Sequence, residues 1–452
     1  MSWNSVLFVA LAGCGPELPP PVDADGDGFT VEQDCDDDDP TRWNQVDIFY
    51  GDLSHDALGD AFDPALSDFC VGVCERSVSG GVDLSWAEPY QIDDLGCLTA
   101  ISEGLVINDN DDLTDLSGLE NLASVGGAFD LWNNDFLTDL SGLRGLTSVG
   151  GLWIQKNAAL TDLKGLDNLT TVYGNFEVYD NTSLETVDGL GELSYVAGHL
   201  SLVSNAALRD VSGLTSLYVV EGTLNLSDND VLRTLSGLEG LTGAEALTIS
   251  RNALLTDLSG LDGLTGLSGD LYVHDNASLI DLAGLGNITT LGEDVEIVNN
   301  DALVDLSGLD ALVEIESYLR VIQNPALRDL SGLDSLTTIG GNLYLQDNDA
   351  LTALTGLESL TMTGGNFDVA RNPALAELSG ASALATIGGT LYLHGHHALT
   401  DLSGLHGVER IEKNVEITRN ACLATEEVEA LIEAIGEENI DGDVIIEDNG
   451  GC

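Results

Sequence analysis

Basic residues are scarce in this sequence: 14 Lys and Arg stand against 77 Asp and Glu among 452 residues, for a formal net charge of −63. Recognition of nucleic acid or of a bare anionic membrane depends on clustered cations, so this composition argues against both as partners. The acidic surface leaves two compatible interpretations open. It keeps the protein soluble in salty surroundings, or it holds divalent cations.

Long hydrophobic runs are absent as well. The apolar run from Val6 to Leu11 is too short to span a bilayer, and no later stretch could span one. Any attachment to a membrane is therefore expected at the N-terminus. The composition is otherwise globular, with 43% hydrophobic residues, and the length provides ample material for a core.

A short motif dominates the rest of the chain. The tetrad Leu-Ser-Gly-Leu or a close variant occurs thirteen times, at steps of 24 residues or, in two places, 23. The copies start at Leu116, Leu140, Leu163, Val187, Val211, Leu235, Leu258, Leu282, Leu306, Leu330, Leu354, Leu378 and Leu402. A fixed period in this range is typical of a solenoid, in which each repeat forms one coil and stacks on its neighbours.

A polar landmark keeps the same period, running from Asn110 to Asn420 with His396 at one position. Two apolar residues, such as Leu105 and Ile107, lie five and three residues before each landmark. This alternation predicts a short β-strand with one face inward, and the Asn is interpreted as an inward corner whose amide bonds to backbone and to neighbouring Asn residues. Glycine in every tetrad argues against helices.

The predicted fold is therefore mainly β. It is a parallel β-solenoid of about sixteen 23–24-residue leucine-rich coils, with three short sides per coil stacked as parallel sheets. A single coil cannot bury enough apolar surface to offset the entropy of ordering it, so stability is expected to come from stacking.

The repeat pattern GG-x-L-x-I-x-x-N-x-x-L-x-x-L-x-G-L-x-x-L resembles the receptor L domain, known from insulin and epidermal growth factor receptor ectodomains and from bacterial surface proteins. The resemblance covers roughly Cys70 to Cys452 and includes the ending from Val415 to Leu423. It implies a right-handed, leucine-rich β-solenoid. A receptor L domain has only a handful of coils, so hormone binding is not carried over to this longer array.

The N-terminus resembles a bacterial lipoprotein signal. Residues 1–13 would form the signal peptide, and Leu11-Ala12-Gly13-Cys14 is similar to the lipobox, which implies lipidation of Cys14. The resemblance implies an exported, lipid-anchored protein, and Gly15 favours the outer membrane, with the protein facing the cell exterior or the periplasm. The segment is short and lacks basic residues, so an unprocessed apolar N-terminus with a chance Cys is the alternative.

A Pro-rich linker at 14–22 precedes an acidic motif at 23–42. Its carboxylates follow the ligand spacing of an EF-hand loop, with a glycine at the sixth position and a backbone carbonyl at the seventh. The predicted Ca²⁺ ligands are Asp23, Asp25, Asp27, Phe29 and Asp34. Together with the run from Asp34 to Pro40, the motif resembles thrombospondin type 3 repeats. A disordered acidic linker is the alternative to a Ca²⁺ site.

Residues 43–73 are assigned to a linker and N-terminal cap, 74–421 to the repeat solenoid and 422–452 to a C-terminal cap. Cysteine spacing predicts disulfides, since equivalent positions of consecutive coils lie about 4.8 Å apart, within reach of an S–S bond. The predicted pairs are Cys74–Cys97 and Cys422–Cys452, and arithmetic alone leaves Cys35–Cys70 as a third. An even number of remaining cysteines is consistent with an oxidising compartment.

The C-terminal cap contains an apolar stripe at helical spacing. It consists of Val428, Leu431, Ile432 and Ile435. Thr425 is predicted to cap this helix and Gly436 to end it. The stripe would plug the open end of the solenoid core.

Catalytic residues are not evident. Asp115, Asp139 and their equivalents recur at fixed repeat positions, which indicates a structural turn. His394, His396 and His397, with His406 downstream, could bind a metal, but the first two are expected to point differently, so structural histidines are favoured. Polysaccharide-degrading β-helix enzymes build clefts from long inserted loops, and the longest insertion in this array is the C-terminal cap. The chain is therefore predicted not to be an enzyme.

The outward strand positions, four and two residues before each corner, carry aromatic side chains. They include Trp132, Trp153, Tyr179, Tyr272, Tyr344 and Tyr392. Aromatic side chains offer flat, amphipathic contact area for sugars or proteins, although they also favour strands for their own sake. The predicted function is non-catalytic recognition or adhesion at the cell surface, with a carbohydrate or protein ligand and membrane contact only through the lipid anchor. A structural spacer without a ligand is the alternative.

Overall fold

The computed structural model describes residues 46–50, 53–54, 75–87, 92–93 and 95–450, with side chains from residue 75 onward. The predicted signal peptide, Pro-rich linker and calcium motif lie outside the described residues. So do five cysteines: Cys14, Cys35, Cys70, Cys74 and Cys452. The described chain is a mainly β, parallel solenoid of about fourteen full coils, with shorter strands at both ends and one short helix near the C-terminus.

Two parallel sheets run along the solenoid. The corner sheet consists of the strands that end two residues before the Asn corners, or before His396, together with the equivalent strands β2 and β4 at the N-terminal end. Its strands are β2 (Leu53–Ser54), β4 (Val82–Asp83), β6 (Leu105–Asn108), β10 (Phe176–Tyr179), β12 (Leu200–Val203), β16 (Leu271–His274), β18 (Val295–Val298), β20 (Leu319–Ile322), β22 (Leu343–Gln346), β24 (Phe367–Ala370), β26 (Leu391–His394), β28 (Val415–Thr418) and β29 (Val444–Glu447).

The short-strand sheet lies on the preceding side of each coil. It consists of β1 (Val46–Tyr50), β3 (Glu75–Ser79), β5 (Leu98–Ile101), β9 (Thr171–Val172), β11 (Tyr195–Val196), β15 (Gly266–Leu267), β17 (Thr290–Leu291), β19 (Glu314–Ile315), β21 (Thr338–Ile339), β23 (Met362–Thr363), β25 (Thr386–Ile387) and β27 (Arg410–Ile411). Four longer strands cross from this sheet into the corner sheet: β7 (Ser124–Trp132), β8 (Ser148–Gln155), β13 (Val219–Ser227) and β14 (Gly243–Ser250).

Equivalent residues of consecutive coils pair in register. Leu200 lies opposite Leu224 and Tyr272 lies opposite Glu296, one period further along the chain in each case. The register shifts by one residue in the β7–β8 and β13–β14 pairs, in the turn between the two sheets. These shifts coincide with the two 23-residue steps, so the solenoid absorbs a missing residue at a turn and keeps the strands aligned.

Alternation within the strands separates core from surface. In β6, for example, Leu105 and Ile107 are fully buried while Val106 and Asn108 are half-buried on the other face. The same pattern runs through the corner sheet, and the leucines after each corner complete the core. The predicted strand positions and inward faces are confirmed.

The corner asparagines form a ladder along the buried edge of the corner sheet. Asn134 donates from Nδ2 to Ile107 O at 2.8 Å, and its Oδ1 accepts the backbone N–H of Asn110 at 3.1 Å. The ladder runs from Asn110 to Asn449 with His396 as the exception, and every ladder Asn up to Asn420 is at most 2% exposed. Each coil is thus tied to its neighbours by a buried amide, as predicted.

The residue before each corner adopts a left-handed conformation, which the sequence pattern did not reveal. Positive φ angles occur at Asp109, Asn133, Lys156, Asp180, Ser204, Asp228, Arg251, Asp275, Asn299, Gln323, Asp347, Arg371, Gly395, Arg419 and Asp448. Asn and Asp tolerate this region better than most residues, but Lys, Arg and Gln are also present. The buried amide that follows holds the turn in place, so the corner sets the backbone more strongly than the local residue type does.

The third side of the coil is not a sheet, and the prediction of three stacked sheets is wrong there. The tetrads form turns, or short 3-10 helices at Ser141–Leu143, Ser212–Leu214, Ser379–Ala381 and Ser403–Leu405. Isolated parallel bridges such as Asp115 with Asp139 link only some of them. The tetrad glycine explains the difference, because Gly165 has φ +114° and a Cβ there would lie 2.0 Å from Leu140 O. The backbones approach too closely on this side for regular strands.

The ends of the solenoid differ. Parallel pairing begins with β1 and β2, which pair with β3 and β4, within the segment assigned to the linker and N-terminal cap. At the other end, α1 (Thr425–Ile435) follows the last full coil, and a 3-10 helix at Glu437–Asn439 leads to β29.

Helix α1 differs from its prediction at its N-terminus. Ala424 is the N-cap and Thr425 is the first helical residue without a capping hydrogen bond, so the predicted cap at Thr425 is wrong. Gly436 ends the helix with φ 82°, as predicted. Val428, Leu431 and Ile435 are buried, whereas Ile432 is half-buried and lines an open hollow of about 580 Å³ beside β29.

Candidate functional site: the outer face of the corner sheet

The corner sheet turns two rows of side chains outward, and members of a row lie about 4.8 Å apart from coil to coil. The first outward row, four residues before each corner, is Val106, Asp130, Trp153, Glu177, Ser201, Asn225, Thr248, Tyr272, Glu296, Arg320, Tyr344, Asp368, Tyr392 and Glu416. The second outward row, two residues before each corner, is Asn108, Trp132, Gln155, Tyr179, Val203, Ser227, Ser250, His274, Val298, Ile322, Gln346, Ala370, His394 and Thr418.

Three aromatic residues form a tryptophan patch near the N-terminal end: Trp132, Trp153 and Tyr179. The indole of Trp153 lies against Gly151, where a Cβ would come within 2.6 Å of two ring carbons. Lys156 Nζ lies 5.3 Å from the centroid of the Trp132 ring, within cation–π range. Each indole thus packs against an immediate neighbour, Trp153 against Gly151 and Trp132 against Lys156.

The carboxylates beside the tryptophan patch are partly desolvated. Asp130 and Glu177 lie opposite Trp153 in the two adjacent strands. Burial raises the pKa of Asp130, and a hydrogen bond from Asn108 partly opposes this rise. Acceptor oxygens thus lie on both sides of a flat indole.

Small polar residues occupy the centre of the face. Ser227 and Ser250 are only 4% and 5% exposed, and Ser250 Oγ donates to Ser227 Oγ at 2.8 Å. Ser227 Oγ in turn bonds to Asn225 Oδ1 at 2.5 Å. These short side chains bond to one another, so they protrude less from the sheet than the aromatic side chains on either side.

A second aromatic region lies in the C-terminal half. We call it the tyrosine patch; it consists of Tyr272, Glu296, Arg320, Tyr344, Asp368 and Tyr392 in the first outward row, with His274 beside Tyr272. Five coil steps of about 4.8 Å make it roughly 24 Å long. Three tyrosines and three charged residues are interspersed along it, which sets it apart from the apolar outer positions Val298 and Ile322.

Glu296 lies near the N-terminal end of the tyrosine patch, where it contacts three neighbouring side chains. Its side chain is 13% exposed and accepts hydrogen bonds from Tyr318 Oη at 2.7 Å and Arg320 Nη1 at 3.2 Å. His274 Nε2 lies 3.2 Å from Glu296 Oε2, without the alignment of a hydrogen bond. Burial lowers the pKa of His274 more than the Glu296 carboxylate raises it. Burial and the bond to Glu296 both raise the pKa of Tyr318, which therefore stays a donor.

Asp368 occupies the other end of the patch, between Tyr344 and Tyr392 on the adjacent strands. Gln346 Nε2 donates to Asp368 Oδ2 at 2.9 Å. Arg371 Nη2 in turn donates to Gln346 Oε1 at 2.9 Å. Burial raises the pKa of Asp368. Asp368 Oδ1 is buried without a hydrogen-bond partner among the described residues.

The structure places all six predicted binding-face aromatics on the outer face of the corner sheet. Tyr179 is 38% exposed, and the other five are half-buried. They do not form one surface, because the central serines separate the tryptophan patch from the tyrosine patch. Binding itself stays a prediction.

Sequence reasoning missed Tyr318 and Arg371, which hold the tyrosine patch together. Tyr318 lies in the bend before β20, at a position where Asp294 and Asn342 stand in the neighbouring coils. Those positions form a second polar ladder, in which Asn342 Oδ1 accepts the N–H of Asn366 at 2.7 Å. The interruption of this second polar ladder by a tyrosine is the sequence signal that could have identified Tyr318. Arg371 lies at a left-handed corner, a position that the pattern did not assign.

The repeated tetrad aspartates are structural, as predicted. Asp115 Oδ1 accepts the N–H of Ser117 at 3.0 Å, and Asp401 does the same for Ser403 at 2.7 Å. These bonds from the serine hydroxyl and backbone lower the pKa of both carboxyls. The tetrad carboxylates thus stabilise turns and are not arranged for proton transfer.

The histidine side chains lie in different environments, as expected. His394 lies in the second outward row, His396 is fully buried in the Asn ladder, and His397 and His406 are exposed. Across the described ranges, no group of three or more His, Cys, Asp or Glu side chains is arranged to hold a metal.

The two patch carboxylates are too far apart for a glycosidase pair. Glu296 and Asp368 are three coils, or about 14 Å, apart, whereas such pairs lie roughly 5–9.5 Å apart. Asp294, two residues before Glu296, is engaged by Ser317 Oγ at 2.5 Å.

Two further features concern the chain ends. Cys97 and Cys422 are both disulfide-bonded, and the predicted partners Cys74 and Cys452 lie outside the described residues, so the pairings stay predictions. Of the helices in the described part of the chain, none is long and apolar enough to cross a membrane.

No protein-family model matches the sequence, and no curated protein matches it. Among solved structures, a similar chain occurs in the crystal structure of a TLR13–ssRNA13 complex, with 14% identity over 84% of this chain and 78% of that chain and a TM-score of 0.16. A TM-score this low carries no argument about ligand or mechanism. Strand pairing and the buried leucines are what establish the leucine-rich β-solenoid.

Proposed function

We propose that this protein is a non-catalytic recognition or adhesion protein that presents the outer face of its corner sheet to a carbohydrate or protein ligand at the cell surface. One observation carries the proposal. Aromatic rings and partly desolvated carboxylates alternate in register along that face, at the tryptophan patch and again at the tyrosine patch. Rigid aromatic rings beside oriented polar groups are the usual components of a binding surface.

A spacer without a ligand and an enzyme are both less well supported. A spacer has no need for desolvated carboxylates such as Asp130 and Asp368, whose raised pKa values reflect an energetic cost of burial. An enzyme would need a close pair of catalytic groups, and Glu296 already accepts bonds from Tyr318 and Arg320.

The test is the double variant Trp132→Ala with Trp153→Ala, assayed for binding to cell-surface polysaccharide and to whole cells. Loss of two anchoring aromatics is expected to weaken binding at least tenfold, since such residues contribute about 1–3 kcal/mol each. The matched control is Tyr173→Ala with Tyr218→Ala, two tyrosines that are 66% and 59% exposed outside the corner sheet. If the tryptophan double variant is folded and binds as tightly as the wild type and the tyrosine control, the tryptophan patch is not part of the binding surface.

A lipid anchor at Cys14 would hold the protein at the cell surface, on the outer membrane. The apolar run before Cys14 and the lipobox-like residues support this location. Labelled palmitate is expected to enter the wild-type protein and not Cys14→Ser. Label in both proteins, or in neither, would refute lipidation at this residue.

A Ca²⁺ ion bound by Asp23, Asp25, Asp27, Phe29 and Asp34 would order the segment between anchor and solenoid. Calorimetric titration of a fragment covering residues 15–60 is expected to show binding with a Kd of about 10⁻⁴–10⁻³ M, as in extracellular modules. The double variant Asp25→Asn with Asp27→Asn should lose it. Absence of heat at millimolar Ca²⁺ in the unaltered fragment would dismiss the site.

A further inference from the structure

We propose that the hollow between α1 and β29 binds an extended, basic peptide segment of a partner protein, which adds as a strand to the free edge of β29. We call this feature the C-terminal hollow. It has a volume of about 580 Å³, and the residues that line it include Glu429, Ile432, Glu433, Glu437, Val444 and Ile446. It lies at the end of the solenoid core and not on the outer face of the corner sheet. The inference therefore goes beyond the proposed function and does not depend on it.

The floor of the C-terminal hollow is apolar and accessible. Val444 and Ile446 lie five and three residues before Asn449, at the inward strand positions. The equivalent Val415 and Ile417 are fully buried in the preceding coil, whereas Val444 is 39% exposed and Ile446 is 37% exposed. Core positions that stay accessible in this way offer apolar side chains to a ligand.

The edge of β29 offers backbone groups as well. β29 pairs with β28, and no other described strand pairs with it. On the β28 side, Asp443 O accepts the N–H of Val415 at 2.9 Å. The backbone groups of successive strand residues point to opposite sides, so the N–H and C=O groups of Val444 and Ile446 point away from β28. Such an edge is a template for an added strand.

The rim of the C-terminal hollow is acidic. Glu429, Glu433, Glu437 and Glu438 are all exposed there. Among the described residues none of the four forms an ion pair, and the last turn of α1 contains no basic residue. Glu429 and Glu433 repel each other at i,i+4 spacing, and Glu437 and Glu438 follow the negative end of the helix dipole. A cationic ligand relieves both kinds of repulsion.

The same charges favour a basic peptide over a second copy of this chain. Two copies joined edge to edge at β29 would bring two sets of rim glutamates together, in a protein of net charge −63. Like charges that face each other across an interface lower the affinity. A strand with alternating apolar and basic residues instead places its apolar side chains beside Val444 and Ile446, and its basic side chains beside Glu447 on the opposite face.

The experiment is calorimetry of the full chain with an acetylated, amidated heptapeptide, Lys-Val-Lys-Val-Lys-Val-Lys. We expect this peptide to bind. Two related peptides are expected to bind about tenfold more weakly or less. Lys-Pro-Lys-Pro-Lys-Pro-Lys keeps the charge but lacks N–H groups for a strand, and Glu-Val-Glu-Val-Glu-Val-Glu keeps the apolar residues but reverses the charge.

Variants locate the binding. Ile446→Asn is expected to weaken binding of the Lys-Val peptide about tenfold or more. Its matched control is Ile280→Asn, at an isoleucine that is 49% exposed on the third side of the coil, which should leave the affinity unchanged. Trp132→Ala with Trp153→Ala should also bind the peptide as the wild type does, which separates this site from the recognition face.

A second pair of variants tests the rim. Glu433→Gln with Glu437→Gln is expected to weaken binding about fivefold at low salt and less at high salt. Glu314→Gln with Glu316→Gln removes the same charge at exposed positions beside the short-strand sheet and should have little effect.

Thermal melts check that each variant is folded, and the rim variants decide the question if Ile446→Asn is not. Failure of the Lys-Val peptide to bind would overturn the inference, as would equal affinities of the Lys-Val and Lys-Pro peptides or of Ile446→Asn and Ile280→Asn. A dimer in sedimentation that Ile446→Asn dissociates would also overturn it, because a second copy would then occupy the edge. None of these results would alter the proposed recognition function.

Discussion

Asn134 illustrates how single side chains hold the solenoid together. Its amide donates to a carbonyl 27 residues earlier and accepts an N–H 24 residues earlier, so one buried residue bonds to two backbone groups of the coil before it. Buried backbone groups must find partners, and the corner amide supplies one to each of these two groups. The fixed recurrence of Asn therefore has a physical reason, which is why its ladder could be predicted.

His396 is the exception in that ladder. Its Nδ1 lies 3.1 Å from Asn372 O and its Nε2 lies 3.0 Å from Val369 O. A neutral imidazole carries one N–H, so it can donate to only one of these two carbonyls. Burial lowers the pKa of His396 more than the two carbonyls raise it, which favours this neutral form.

Replacing His396 with Asn is expected to raise the free energy of unfolding by about 1 kcal/mol at pH 7.5, because the ladder regains an amide. Unfolded histidine binds a proton below its ordinary pKa of 6.5, whereas folded His396 does so only at lower pH. The unfolded state thus binds more protons as the pH falls, and the wild type loses stability that the variant keeps. Urea unfolding of both proteins at pH 7.5 and pH 5 measures the difference.

The control for that comparison is His397→Asn, an exposed neighbour outside the ladder. Carboxylate titration is common to all three proteins and cancels in the differences. A His396→Asn protein that is less stable than the wild type, or a gap that does not widen toward pH 5, would contradict the assigned role of His396.

At the scale of the element, the tetrad turn depends on glycine. Gly165 has φ +114° and most of its equivalents also have positive φ, except those in the four 3-10 helices; a Cβ at Gly165 would lie 2.0 Å from Leu140 O in the preceding coil. The tetrad aspartates then close the same turn through the serine N–H groups. Glycine was identified from the sequence as a helix breaker, but its actual role is to let two coils approach each other.

Gly165→Ala is expected to destabilise the protein by about 2–4 kcal/mol, because the substitution combines an unfavourable backbone conformation with a clash against a backbone atom. Gly191→Ala is the matched control, since nothing lies within 4 Å of a Cβ at that position and its φ is not in the strained range. It should change stability by less than about 0.5 kcal/mol. Thermal melting of both variants measures the contrast, and equal melting temperatures would mean that the tetrad side is not closely packed.

The strands and the third side show what the sequence could and could not predict. Strand positions followed from the alternation of Leu105 and Ile107, because burial alone decides which face of a strand turns inward. The third side was misjudged because a three-residue leucine period does not distinguish stacked turns from strands. The left-handed corners were missed for a related reason, since residues such as Arg251 and Arg371 carry no local signal for positive φ.

At the scale of the whole molecule, the solenoid is a one-dimensional stack in which each coil contacts its neighbours. Its outer rows were assigned correctly from the sequence, because the spacing from the corner Asn determines which residues point outward. Contacts between coils, such as those of Glu296 with Tyr318 and Arg320, could not be predicted. They join residues 22 and 24 positions apart whose side-chain reach depends on the bend before the strand.

The charge of the whole molecule also bears on its ligand. With a net charge of −63, the surface repels anions at long range, and several of the 14 basic residues lie along the corner sheet: Lys156, Arg251, Arg320, Arg371 and Arg419. Arg251 and Arg371 pair with aspartates of the preceding coil at 2.5 and 2.7 Å. Pairing with these carboxylates keeps the arginines along the corner sheet from forming a cationic patch.

Hydroxyl-radical footprinting of the full chain shows whether a ligand contacts the outer face of the corner sheet. The protein would be labelled alone and when bound to the cell-surface polysaccharide that it captures. Protection of Trp132, Trp153 and Tyr179 is predicted, while Tyr173 and Tyr218, more exposed but outside the sheet, keep their labelling. Protection of Tyr173 and Tyr218, with unchanged labelling of the three outer-face aromatics, would show that the ligand binds elsewhere on the solenoid.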